Sequence, residues 1–182
     1  MTRECIGREI TRAKWCKGAG LLNDEIPADA VTVDLRTSNN KLSFWRCGTY
    51  EKVLLDDLAL AMASAADRVD RMDFVWMQQD ELEDKSVKFV GTKGLTPVEA
   101  LVDKHVDALS LDFVRLGQIA RSVDNALQSD RYRRFTKKEI AGVLMHAVQA
   151  GRVQLDELRE KVQEEVAKQL AANTDQGQES SG

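Results

Sequence analysis

The sequence predicts an α+β protein: a small sheet-containing part at about residues 1–92, then a bundle of three or four helices at about 93–172 with a helix-turn-helix-like outline. Three observations predict it. Two short runs near the start alternate apolar and polar residues around the turn signal "TSNN". A solid apolar run, "RMDFVWMQ", reads as a strand covered on both faces. From Gly91 onward the apolar period lengthens to three and four residues, the spacing of amphipathic helices.

In chain order, "EITRAKWC" is expected as a short strand. In "AVTVDLR", Val31, Val33 and Leu35 alternate with Thr32, Asp34 and Arg36. In "KLSFWRC", Leu42 and Phe44 oppose Ser43, Trp45 and Cys47, so the two runs are expected as a β-hairpin. Thr49 is expected to cap the helix "YEKVLLDDLALAMASAAD", apolar nearly all round in its second half and therefore buried. "RMDFVWMQ" and "SVKFVG" supply two further strands, separated by the polar loop "QDELEDK".

Thr96, Pro97 and Glu99 form a helix-start signature, and the helix is expected to run through "DKHVD". The next helix is expected to start at the cap Ser110 and to bury Phe113, Leu116, Ile119, Val123 and Leu127. Its successor starts at a Thr136–Glu139 capping box, with Phe135 placed to staple onto Ile140. It carries Ile140, Val143, Leu144, Ala147 and Val148 and ends at Gly151. A last helix stripes Leu155, Leu158, Val162, Val166 and Leu170. Residues 173–182, "NTDQGQESSG", read as a disordered tail.

Charge is unevenly distributed. Residues 1–109 carry 15 cations and 19 anions, residues 110–153 carry 8 and 4, and residues 154–182 carry 3 and 7, for the net −4 of the chain. A basic middle therefore lies between acidic flanks, and wholesale nucleic-acid coating is not expected. Cys5, Cys16 and Cys47 include no CxxC pair. The first residues lack an apolar signal core, and no apolar run approaches the roughly 20 residues of a membrane span. The expectation is a cytoplasmic protein without membrane association.

The most basic stretch is "RYRRFTKKE". Arg131, Arg133, Arg134, Lys137 and Lys138 stand where phosphate clamps of a helix-turn-helix would stand, and Tyr132 could stack on a single strand. The capping box explains the second half without a ligand. Asp103, His105 and Asp107 would share one face of a strand, with metal-ligand geometry, but are split on the helix expected here. Cys16 or Cys47 paired with His105 or His146 has no local motif behind it, and "FVGTKGLT", with Lys93, lacks the spacing of a phosphate loop.

Two function classes follow. The first is a non-enzymatic binding or adaptor protein without cofactor or metal. Its helical half engages a protein partner, with nucleic acid as a further ligand at 131–138 and self-association through the distal part of the last helix. The second is a small metal-dependent nuclease or hydrolase using Asp34, Asp73, Glu83 and Lys85, since such chemistry needs acids converging on a metal and a lysine near the attacking water.

Overall fold

The computed structural model describes residues 3–17, 21–22 and 25–179. In chain order the elements are β1 (Glu4–Ile10), α1 (Ala28–Asp34), β2 (Leu42–Thr49), β3 (Lys52–Val53), α2 (Leu55–Ala63), β4 (Met72–Gln78), α3 (Gln79–Glu83), β5 (Lys88–Gly91), α4 (Glu99–Val102), β6 (His105–Leu109), α5 (Phe113–Gln128), β7 (Tyr132–Phe135), α6 (Lys137–Gln149) and α7 (Glu160–Glu179). The strands join in the order β5-β6-β2-β1-β4-β7, with β3 folded back onto β2. β1 is antiparallel to β2 and β4, and β6 is antiparallel to β2 and β5.

The fold is α+β, but the sheet does not stop at residue 92. Strands β6 and β7 come from the stretch expected to be wholly helical, so sheet first and bundle second is not the arrangement. The chain divides instead into two interleaved units, residues 1–55, 73–93 and 103–134, and residues 56–72, 94–102 and 135–182.

The first unit has its core on one face of the sheet. Ile6, Ile10, Phe44, Val75, Met77 and Val106 pack with Ile119, Val123 and Ala126 of α5, and Ala30 and Leu35 from α1 and its end join them. The alternation of Leu42 and Phe44 against Ser43, Trp45 and Cys47 is realised in β2, and β4 lies between β1 and β7 as a buried strand.

The run 31–36 is not a strand. Residues 28–34 form α1, entered from Pro27, and of Val31, Val33 and Leu35 only Leu35 is buried. The expected hairpin is thus absent, and β2 pairs with β1, β3 and β6 instead. What holds this segment is Asp34. Its carboxylate accepts from the Thr11 N–H (2.8 Å), the Thr11 hydroxyl (2.9 Å) and the Trp15 indole N–H (2.7 Å). Its carbonyl accepts from Arg8 Nε (2.9 Å) and Nη2 (2.6 Å). The "RAKW" part of the expected first strand is a 3-10 turn, Arg12–Trp15, held at this carboxylate.

Other departures have local causes. Thr49 ends β2 rather than capping a helix, because residues 50–51 turn into β3. Gly48 has φ +103°, and a Cβ there would lie 2.2 Å from the Lys52 carbonyl, so this hairpin requires glycine. The "DKHVD" segment turns at Asp103 and Lys104 and enters β6 at His105, with Val106 and Ala108 inward, and the helix before it is the single turn α4. The cap of α5 is Asp112, whose side chain accepts from Arg115 N–H (2.8 Å), not Ser110, which has φ +52°.

In the second unit α6 packs on α7, with Phe135, Ile140, Leu144, Leu158, Val162 and Val166 buried. Of Val166 and Leu170, expected to overhang and meet a partner or a second copy, Val166 is fully covered and Leu170 is half-buried. Asp57 pairs with Arg152 (2.7 Å) and Asp67 with Arg159. Helix α7 continues to Glu179, through most of the segment read as a disordered tail; residues 180–182 lie outside the described residues.

Two measurements check this account. Asp34→Ala leaves the buried Trp15 indole and the partly buried Thr11 N–H unpaired, and a loss of about 3 kcal/mol in urea unfolding is expected. His105 stands edge-on to Trp45 (5.1 Å), with Nδ1 2.6 Å from the Thr92 hydroxyl, and burial lowers its pKa despite the opposing pull of Asp107. The unfolded chain therefore takes up the proton first. Stability should fall as pH drops below about 6.5 toward the folded value, and His105→Asn should flatten that slope.

Candidate functional site

The basic stretch is an edge strand rather than a turn between two helices. Trp76 N–H donates to the Arg131 carbonyl (3.2 Å), which seats β7 beside β4. That strand interrupts the helix-turn-helix outline, and the unit boundary falls between Arg134 and Phe135. Arg131 bonds Ser129 Oγ (3.2 Å) and lies 3.7 Å from Glu81. Arg134 reaches both oxygens of the buried Asp73 (2.8 and 3.2 Å), and the Tyr132 hydroxyl donates to the same carboxylate. The Arg12 guanidinium lies 5.6 Å from the centre of the Tyr132 ring. Burial and the Asp73 hydrogen bond both raise the Tyr132 pKa, so the phenol keeps the proton it donates. Arg133 points to the other side of the strand and is exposed.

In the second unit, Thr136 and Glu139 form the expected capping box. Lys137 pairs with Glu165 (3.0 Å), and Lys138 is exposed. At least three of the five cations proposed as phosphate clamps are thus already matched to carboxylates of the chain, which an isolated sequence window cannot reveal.

The four residues of the hydrolase reading have separate duties. Asp34 anchors the turn after β1, Asp73 holds Tyr132 and Arg134, Glu83 accepts from Gln79 Nε2 (2.7 Å), and Lys85 reaches Ser122 Oγ (3.4 Å). Among the described residues no group of three His, Cys, Asp or Glu side chains has the arrangement to hold a metal ion. Asp107 shares a strand face with His105 but bonds Ser43 (2.9 Å), and Asp103 pairs with Lys93 (2.6 Å). Cys47 is buried with its thiol pKa raised by desolvation, and Cys5 is likewise pushed up to about 11, so neither offers a thiolate near neutral pH.

Two of the concavities of the first unit adjoin α5. One, of about 530 Å³, lies among Arg12, Trp15, Lys17, Asp124 and Gln128; the Asp124 carboxylate accepts from Gln128 (2.8 Å) and Lys17 (3.4 Å), so its charged groups serve one another. The other, of about 620 Å³, is a groove of different character. Leu21, Ile26 and Val31 form one wall, Leu116, Gly117 and Ala120 of α5 the other, and Glu25 and Arg121 are its charged residues. At its end Phe113 is 94% exposed, and the neighbouring Val114 is 70% exposed.

Phe113 had been expected inside. Six residues at 3.6 per turn put it about 120° round from Ile119, on the flank of the buried stripe, and it sits in the first turn where the core no longer covers that flank. The helical wheel held this signal, but counting apolar spacings does not distinguish flank from centre. Comparisons with protein-family models, curated proteins and solved structures found no match to the chain.

Asp73 supplies the test of the basic strand as a structural element. Asp73→Asn removes the charge and replaces one acceptor oxygen with an NH2 donor facing Arg134 or Tyr132, so a loss of about 1–3 kcal/mol is expected. Arg133→Ala, exposed on the opposite side of β7, should cost less than Asp73→Asn, within about 1 kcal/mol.

Proposed function

We propose that the chain is a non-enzymatic binding protein whose α5 face docks a protein surface. The observation that carries this reading is Phe113: a large aromatic side chain left almost wholly in water, beside Val114 and at the end of an apolar groove. Single exposed apolar residues are ordinary on protein surfaces, but a contiguous patch with a concavity marks an interaction site. The groove walls are aliphatic and its two charged residues, Glu25 and Arg121, are of opposite sign. The matching occupant is therefore an apolar protein segment rather than a polyanion.

Nucleic acid as a ligand of residues 131–138 has less behind it. Arg131, Arg134 and Lys137 would each have to leave a carboxylate partner, and Arg12 already occupies a face of Tyr132. The hydrolase reading using Asp34, Asp73, Glu83 and Lys85 has four residues with four different sets of partners and no convergence.

The test compares variants of an immobilised full chain. Phe113→Asp should leave stability within about 0.5 kcal/mol, because the side chain makes few contacts to lose. It should abolish stoichiometric retention of protein bound by the wild type, as Val114→Asp should. Arg133→Ala should retain it. In parallel, anisotropy of labelled single-stranded and duplex oligonucleotides should show no saturable binding. Oligonucleotide binding whose salt slope shrinks in Arg131/Arg133/Arg134→Ala, with retention indifferent to Phe113→Asp, would overturn the reading.

A further inference from the structure

We infer that the occupant of this groove is a second copy of the same chain, docked by an antiparallel crossing of the two α5 helices at Gly117. The inference rests on the docking reading above and adds the identity of the partner.

Gly117 is the first argument. It lies in the interior of a 16-residue helix, where glycine is unfavourable, and it is exposed, so no close packing within the unit requires it. A Cβ built there meets nothing within 4 Å. A glycine that its own unit does not need lets another backbone approach α5 closely at that point.

Self-complementarity is the second. The patch carries both a protruding group, Phe113, and a recess walled by Leu21, Ile26, Val31 and Ala120. A two-fold contact requires one surface to supply both halves of the fit. With the axis at Gly117 and the helices antiparallel, Phe113, four residues before the crossing, comes opposite Arg121 of the second copy, four residues after it. The aromatic ring then enters the groove beside Ala120, under the guanidinium, an arrangement that cation and ring both favour.

Charge and size agree. The groove presents one anion, Glu25, and one cation, Arg121, so two copies meet without net repulsion. A stable interface covers roughly 800 Å² on each partner, of which one exposed aromatic supplies about 150–250 Å². Val114 and the groove walls extend the apolar surface around it.

The experiment is sedimentation equilibrium of the full chain over a wide concentration range. The wild type should populate a dimer. Phe113→Asp should weaken dimerisation at least tenfold, and Gly117→Leu, which the free unit has room for, should do the same by blocking the crossing. Gly117→Cys in a Cys16→Ser background should give disulfide-linked dimers under mild oxidation, because the axis brings both 117 positions together, whereas Asn125→Cys, two turns away, should not. A wild type that stays monomeric throughout, a dimer indifferent to Phe113→Asp, or cross-linking at 125 in place of 117 would each overturn the inference. A monomeric wild type that still retains another protein in a Phe113-dependent way would sink the second copy alone and leave the docking reading standing.

Discussion

The sheet-bearing unit depends on one buried aspartate. Asp34 ends α1, where a carboxylate faces the unfavourable pole of the helix dipole. It is held there because three donors from the turn after β1 converge on its side chain, while Arg8 from the middle of β1 closes on its carbonyl. Arg8 is half-buried, its pKa lowered by desolvation, and it lies 5.7 Å from the Phe44 ring centre, so the same contact satisfies a partly desolvated cation. Through these bonds β1, the 3-10 turn and α1 become one rigid corner. Val31 of that corner is a wall of the groove, so the site inherits its shape from the Asp34 contacts.

This also explains which parts of the fold were legible. Where burial follows period, local pattern and structure agree: β2 alternates, β4 is a continuous apolar run, and Thr136 with Glu139 starts α6. Where a long-range bond decides, they part. Residues 31–35 alternate like a strand and contain two valines and a threonine, which favour one. Pro27 and the five bonds to Asp34 override that preference. Val106 and Ala108 form an alternating pair, but so short a run is outweighed locally by the helix-start signature at Thr96, whose helix stops after the single turn α4. The groove was the least legible feature, because its walls come from segments about 90 residues apart and none is unusual alone.

Charge followed the same logic. A window from Arg131 to Lys138 is strongly basic, yet its charges are set against carboxylates distant in sequence: Glu81, Asp73 and Glu165. At half-exposed positions such pairs contribute little to stability individually. Their effect here is on the field, since a cation matched at close range attracts a polyanion less than a bare one. An edge strand rich in arginine also has a reason to exist without any ligand, because charged edge residues discourage pairing with another sheet edge.

The exposed face of α5 has no such internal explanation. Local rules would put a better helix former at 117 and a polar residue at 113, and both changes fit the unit as it stands, with open space around Gly117 and water around Phe113. Several other broken rules are compensated by a contact within the chain: Asp34 by its donors, Asp73 by Tyr132 and Arg134, Gly48 by the hairpin it turns. Departures that are compensated internally mark the architecture. Two departures four residues apart on one helix, with no compensation inside their own unit, require it from outside, and the groove between them and α1 is where it would be made.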